Sequence, residues 1–305
     1  MAGVLDRAIV RMLPAVPKPV VRAISSRYIA GAKIEDACRV VGELNDAGKM
    51  ATLDVLGEDH DSAEQARSVV RDYDEVFDVI EREGLDSNVS VKLTALGLKL
   101  SYELCLENVE AVVRHAAESG NFVRIDMEDS SCTTDTLHIY RELRERGYDN
   151  VGVVLQARLR RTIRDIRALA DLRPNVRLCK GIYLEPPLIA YQGYQEVRDS
   201  FVEALEILLR GGSYVGIATH DEWLIEQGLA RVAGLGREEY ELQMLLGVRE
   251  LRADRLVREG HRLRVYVPFG KHWYAYSLRR LQENPKIAGY IASDTFGRLF
   301  GPNGR

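Results

Sequence analysis

Apolar residues recur along this chain with two different periods. Eight short runs carry the strand signature of β-branched and other apolar residues, alternating with polar ones or nearly continuous: ATLDVLG (51–57), VSVKLTAL (89–96), FVRIDME (122–128), GVVLQA (152–157), VRLCKG (176–181), VGIATH (215–220), YELQML (240–245) and RLRVYVPFG (262–270). Charged amphipathic stretches with helical spacing separate them, at 61–83, 103–119, 133–146, 159–171, 189–210, 222–234 and 247–259, and a further one, 271–284, follows the last run. Each predicted strand is followed by a predicted helix, and no Pro-, Gly- or Ser-rich linker divides the series. Such an alternation predicts one closed (βα)8 barrel over residues 51–305, with an open doubly wound sheet as the alternative. Residues 1–50 precede the first strand, read as helical and are interrupted by Pro14, Pro17 and Pro19, which predicts an N-terminal helical arm.

Within the strands the polar residues keep to one parity. They are Thr52 and Asp54; Ser90, Lys92 and Thr94; Arg124, Asp126 and Glu128; Gln156; Arg177; Glu241 and Gln243; Arg264 and Tyr266. The other parity is mostly aliphatic, as in Val91 and Leu93, Val123, Ile125 and Met127, or Val265 and Val267. Side chains alternate across a strand, so one parity faces the lumen and the other packs on the helices. Barrel lumens are ordinarily filled by branched apolar side chains, and charges placed there carry a desolvation cost that only a ligand or mutual pairing offsets. The pattern predicts a lumen that is a binding site; for any single residue, structural pairing is the simpler alternative.

Composition narrows the possibilities. With 305 residues, 46% of them hydrophobic and 29% charged, the chain can bury a large core. Its 42 Lys and Arg against 46 Asp and Glu give a net charge of −4, which lacks the footprint of a general nucleic-acid binder, so a phosphate-bearing ligand would be held locally. Cys38, Cys105, Cys132 and Cys179 show neither metal-ligand spacing nor a disulfide framework. No apolar run approaches the roughly 18 residues of a membrane span, and Asp6, Arg7 and Arg11 break up the start of the chain. A cytoplasmic protein, at most peripheral on a membrane, is expected.

Several groups could carry chemistry. In GKHWYAYSLRRLQENP, Tyr276, Arg279, Arg280 and Glu283 share one helix flank; such a string alone is usually a solvated face, but this one follows the eighth strand close to the C-terminal rim, where paired guanidiniums can grip a carboxylate and Glu283 can orient Arg279. Lys92, set between Val91 and Leu93, is either a third cation for that anion or a structural partner of Asp126 or Asp54. Asp126 reads equally as a functional acid or a partner of these cations. Arg177, Lys180 and Gly181 suit a phosphate or an electron-rich ring. Thr219-His220-Asp221 precedes a helix and could meet pyrophosphate, unless Asp221 is a plain N-cap. Gln156 could bind a heterocycle or merely satisfy backbone. GxGxxG, P-loop, HExxH and GxSxG signatures are absent from the sequence. A lyase using Lys92 as a Schiff-base nucleophile and a barrel that binds without turnover are the competing functional readings.

Taken together, VKLTALG, RIDMED, VVLQA, VRLCKGIY, ATHD, LQMLLG and YVPFGKHWYAYSLRRLQENP, in this order from about Thr52 to Pro285, resemble the proline dehydrogenases, specifically the short monofunctional bacterial kind. The resemblance implies a distorted (βα)8 barrel of the TIM type that binds FAD, oxidises L-proline to Δ1-pyrroline-5-carboxylate by hydride transfer from C5 to flavin N5, and passes electrons to a membrane quinone. By position it implies that Arg279, Arg280 and Lys92 hold the proline carboxylate, that Tyr276 and Tyr266 wall its ring, and that Glu283 orients the arginines. Asp126 and Arg177 match the catalytic carboxylate and the arginine beside the flavin's reactive edge. Gln156, Lys180, Gly181, Ile182, Thr219 and His220 match FAD contacts, as does the backbone of Met127. The chain departs from the family in having CKGIY for VKGAY and Gln156-Ala157-Arg158 for QAY. Its length leaves no room for the aldehyde dehydrogenase domain of the bifunctional members, so a separate pyrroline-5-carboxylate dehydrogenase is expected downstream.

Overall fold

A computed structural model of the chain describes residues 27–57, 60–274 and 277. The eight expected strands are present as β1 (Met50–Val55), β2 (Ser87–Val91), β3 (Val123–Ile125), β4 (Val151–Gln156), β5 (Val176–Cys179), β6 (Val215–Ala218), β7 (Tyr240–Leu245) and β8 (Leu263–Phe269). All neighbours are parallel and run in chain order, and β8 pairs with β1 to close the barrel. Strands β2 and β3 end sooner than the apolar runs imply. After Val91 the chain folds into turns in which the Leu96 amide donates to the Lys92 carbonyl at 3.2 Å, although the Asp126 amide still reaches the Val91 carbonyl at 2.9 Å.

The outer layer consists of α1 (Ile34–Asp46), α2 (Ala63–Glu83), α3 (Tyr102–Glu118), α4 (Thr133–Glu145), α5 (Thr162–Ala168), α6 (Tyr194–Arg210), α7 (Glu222–Val232) and α8 (Glu250–Arg258). Their ends follow from local chemistry. The Ser62 hydroxyl accepts from the Gln65 amide at the start of α2, and Gly84 takes the left-handed conformation, φ 61°, at its end. Helix α1, from the stretch expected to form an arm, packs through buried Ala37 and Val41 against β1 and β8 and covers the seam where the barrel closes. Of the predicted 271–284 helix, Tyr276, Arg279, Arg280 and Glu283 lie outside the described residues. Among the described residues, no helix is long and apolar enough to cross a membrane.

The parity argument holds in detail. The aliphatic parity (Leu53, Val91, Ile125, Val153, Leu178, Ile217, Leu242, Val267 and their neighbours) forms the buried layer between strands and helices. The polar parity meets across the lumen: Arg177 of β5 reaches Ser90 of β2, and Arg124 of β3 donates to the side chain of Asn175, which precedes β5. Two inward positions that carry no side chain make this possible. A Cβ on Gly152 would strike the Arg124 guanidinium, and one on Gly216 would strike the Gln243 amide, so β4 and β6 yield the volume that long polar side chains from β3 and β7 fill.

Candidate active site

The C-terminal end of the barrel gathers polar groups from β1, β2, β3, β5, β7 and β8. Asp126, the first residue after β3, is the hub. Its Oδ1 accepts from Arg177 Nη1 at 2.7 Å and from Ser90 Oγ at 3.1 Å, and its Oδ2 accepts from the Tyr266 hydroxyl at 2.9 Å. Arg177 Nη1 also donates to Ser90 Oγ at 3.0 Å, while its Nε donates to Gln243 Oε1 at 2.6 Å. The guanidinium lies 5.1 Å from the Tyr266 ring centroid, a cation–π distance. Arg177 is therefore held in one plane by an acid, an amide, a hydroxyl and a ring.

Lys92 follows β2 directly and takes both structural partners that the sequence left open. Its Nζ lies 2.5 Å from Asp54 Oδ1 and 3.8 Å from Asp126 Oδ2, with the Tyr266 hydroxyl at 3.4 Å. The Asp54 side chain is fully buried, and burial pushes its carboxyl above the ordinary range while the Lys92 ammonium pulls the other way. The cluster holds two acids, Asp54 and Asp126, and two cations, Lys92 and Arg177. Tyr73 on α2, which the parity argument did not reach, braces the cluster from outside by donating its hydroxyl to the Ser90 carbonyl at 2.6 Å.

A second polar group follows β4, β5 and β6 on the same rim. Gln156 Nε2 donates to the Glu128 carbonyl at 2.7 Å, and the Glu128 carboxylate accepts from the Thr94 amide and hydroxyl at 3.0 and 2.7 Å. This ties together the loops after β2, β3 and β4. Burial raises Glu128 above the usual carboxylate range against the pull of the two Thr94 bonds. Gly181, at φ 89°, passes so close to Gln156 that an added Cβ would sit 2.7 Å from its Oε1; Ile182 follows it.

Asp221 was a candidate N-cap for α7, but its side chain does not cap that helix. Instead the carboxylate collects Lys180 Nζ at 3.0 Å, Arg198 at 2.6 and 2.9 Å, and the Tyr194 hydroxyl at 2.6 Å. Burial alone would raise this acid, yet the donors outweigh burial and hold it well below the usual range. Arg198 and Tyr194, one turn apart on α6, had no signal in the sequence beyond that spacing. The Thr219 hydroxyl accepts from the Asp221 amide at 3.1 Å, and His220 Nε2 accepts from the Leu245 amide at 2.9 Å. The Met127 side chain is buried in the core. Among the described residues, no group of three or more His, Cys, Asp or Glu could hold a metal ion.

Comparison with known proteins identifies the family. The family model described as proline dehydrogenase matches residues 37–292. Proline dehydrogenase 1 of Bacillus subtilis (strain 168) is 38% identical over 267 residues, covering 87% of this chain and 88% of that protein. The proline dehydrogenase of Deinococcus radiodurans is 36% identical over 274 residues, covering 88% of each. Among solved structures, proline utilization A from Bdellovibrio bacteriovorus, inactivated by N-propargylglycine, superposes with a TM-score of 0.81 at 25% identity over 92% of this chain and 36% of that longer one. A match across most of the chain, by sequence and by fold, places it in the proline dehydrogenase family of enzymes.

Proposed function

We propose that this protein uses FAD to oxidise L-proline to Δ1-pyrroline-5-carboxylate in proline catabolism, at the C-terminal mouth of its barrel. The observation that carries the reading is the constellation of Lys92, Asp126, Arg177 and Tyr266, which converges from four strands that are distant in sequence. The donor set suits a flavin dinucleotide. Arg177 is a fixed cation beside a ring-sized aromatic wall, Gln156 and Gly181 form a close-packed polar edge, and the start of α7, left without a side-chain cap, lies next to Lys180 and Thr219 as a phosphate would require. Gln156, Arg177, Lys180, Gly181, Ile182, Thr219, His220 and the Met127 backbone would hold the cofactor, which when bound supplies the acceptor for the hydride that leaves proline C5.

The protein's own residues position and neutralise. Lys92, with Arg279 and Arg280, anchors the proline carboxylate, Glu283 orients those arginines, and Tyr266 and Tyr276 confine the ring. Asp126 fixes Tyr266 and Arg177 relative to each other, and Arg177 would offset the negative charge that the hydride carries to the bound cofactor. Proline's ammonium loses one proton to solvent beforehand, so that the nitrogen lone pair can form the C5–N double bond as the hydride leaves, and the iminium then releases its remaining N–H proton to solvent. Electrons then pass to a membrane quinone, through peripheral contact of a cytoplasmic protein, and the product goes to a separate dehydrogenase. The lyase alternative is disfavoured, because a carboxylate 2.5 Å from Lys92 Nζ stabilises the ammonium, and a Schiff-base nucleophile must be neutral.

The test is an anaerobic visible spectrum of the purified protein before and after L-proline is added. Flavin bands that bleach with proline are expected. Bands that persist would remove proline as the substrate, and a protein that stays colourless after reconstitution with FAD would remove the cofactor.

A further inference from the structure

The opposite, N-terminal end of the barrel holds a second cavity, of about 550 Å³. It opens between the loops that precede β2 and β3, where Glu81, Ser119 and Arg262 stand at its walls. It runs inward to the lumen residues Asn88, Arg124, Glu241 and Arg264. None of Lys92, Asp126, Arg177 or Tyr266 lines it, so it is separate from the site described above.

Its inner end is unbalanced in charge. Arg264 and Glu241 pair, with Nε to Oε1 at 2.9 Å, and Glu241 also accepts from the Tyr214 hydroxyl at 2.9 Å and the Gln243 amide at 2.5 Å. Arg124 has no such partner. It donates to the Asn175 carbonyl and side-chain oxygen at 2.6 and 2.5 Å and to the Val153 carbonyl at 3.2 Å, and it lies 5.0 Å from the Phe122 ring centroid. Its Nε makes no hydrogen bond, although the residue is only 2% exposed. Among the described residues no carboxylate pairs with it. Burial, helped by the like charge of Arg177, lowers its pKa to about 9, which still leaves the guanidinium charged at neutral pH. Two guanidiniums thus face one carboxylate at the cavity's inner end. Buried charges in proteins are ordinarily paired, and the space beside this one is polar and large enough for a counter-ion.

We infer that this basal cavity is a binding site for one small anion, a carboxylate or a phosphate, with Arg124 as the residue that sets its charge and Arg262 as the cation at its mouth. The shared chemistry is a compact oxyanion that several N–H donors can surround, and the two sources separate by direct titration.

The experiment is titration calorimetry of the purified full chain with acetate and, separately, inorganic phosphate at low chloride. It needs no turnover, so its outcome is independent of whether proline is the substrate. One saturable site is expected for at least one of the two anions, and the tighter of them identifies the class. Arg124→Gln should weaken it tenfold or more. Arg262→Glu and Ser119→Trp, both at half-buried wall positions, should weaken it as well, the first by charge and the second by blocking the opening, and they carry the test if Arg124→Gln does not fold. Lys92→Met/Asp54→Leu, which removes the upper cation without leaving its buried acid unpaired, should leave it unchanged, since an anion held by the proline-carboxylate cations would be lost in that variant. Absence of saturable binding, binding lost in Lys92→Met/Asp54→Leu, or binding indifferent to Arg262→Glu and Ser119→Trp would each overturn the assignment.

Discussion

Removing Lys92 should expose how strongly the upper end of the lumen depends on paired charges. Lys92 Nζ and Asp54 Oδ1 are 2.5 Å apart, and the two side chains are 17% and 0% exposed. At that separation and an effective dielectric of about 20, unit charges attract by roughly 7 kcal/mol, and desolvation cancels several kcal/mol for each ion. The pair as a whole therefore contributes little net stability, whereas losing one member is expensive. Lys92→Met leaves the buried Asp54 carboxylate without its counter-ion, with an Oδ2 that already lacks a hydrogen bond, at a cost of about 3–5 kcal/mol at neutral pH. The double variant Lys92→Met/Asp54→Leu removes both charges and should regain most of that loss. The pH dependence supplies a second signature. Burial already raises Asp54, and without Lys92 it rises further, so its folded-state pKa lies above its unfolded value near 3.9. A carboxyl raised in the folded state contributes stability that is fully present below the unfolded value and is lost as pH rises through the folded one. Lys92→Met should therefore be closest to the parent in acid and fall away toward neutrality, while the double variant shows no such slope. Urea denaturation at several pH values measures both effects. A coupling energy below about 1 kcal/mol, with parallel pH profiles for the single and double variants, would refute the reasoning.

Three further outcomes are expected. Gly216→Ala drives a methyl group into Gln243, which holds Arg177 Nε at 2.6 Å; it should cost about 1–3 kcal/mol and lower kcat for proline, and Gly216→Ala/Gln243→Ala should recover the stability but not the rate. Tyr266→Phe deprives Asp126 Oδ2 of its hydroxyl donor and should cost about 1–3 kcal/mol by urea midpoint, with a rise in the Michaelis constant for proline in steady-state assays. Asp221 is lowered in the folded state, so its contribution to stability is present above the unfolded value near 3.9 and lost as pH falls below it; Asp221→Asn should be less stable at neutral pH and should show a flatter acid limb in thermal melts.

The barrel was legible because both of its signals are periodic. Aliphatic residues at every second position mark the strands, and the same alternation fixes which side chains face inward, so Asp126, Arg177 and Tyr266 could be placed in one lumen before any contact was seen. The contacts themselves were not legible, since pairing depends on distances across the barrel. Lys92 could have joined either acid; strand register sets Asp54 beside Ser90 and Ile125 beside Val91, which would favour Asp126, yet the ammonium lies nearer Asp54, at 2.5 Å against 3.8 Å. Gly152 and Gly216 escaped notice because a glycine carries no polarity, although both are inward positions that the long side chains require. Arg124, Glu241 and Arg264 stood in the polar parity, but Asn175 and Tyr214, which complete their contacts, lie just before their strands and outside the alternating runs, so the N-terminal cavity was not separable from the rest of the lumen. Asp221 sits where an N-cap belongs, but three donors from α6 and the loop after β5 outcompete the amides of its own helix.

The charge balance of the upper cluster explains why more than one cation is needed for a carboxylate substrate. Lys92 is already answered by Asp54, and Arg177 by Asp126, so the described cluster is neutral before any substrate arrives. A proline carboxylate entering beside Lys92 adds a negative charge within reach of two acids, buried Asp54 and half-buried Asp126, and Lys92 alone cannot offset it without giving up Asp54. Further positive charge has to come from outside the barrel wall. The Arg279–Arg280 pair on the segment after β8 is suited to bring it, because a guanidinium pair grips a carboxylate in a fixed plane while Lys92 keeps its internal partner. Under the proposed function Asp54 and Asp126 keep the cations in place when no substrate is present, and the arginines would add the excess charge that makes binding favourable; affinity for proline would then be set by the segment after β8, and the geometry of oxidation by the barrel.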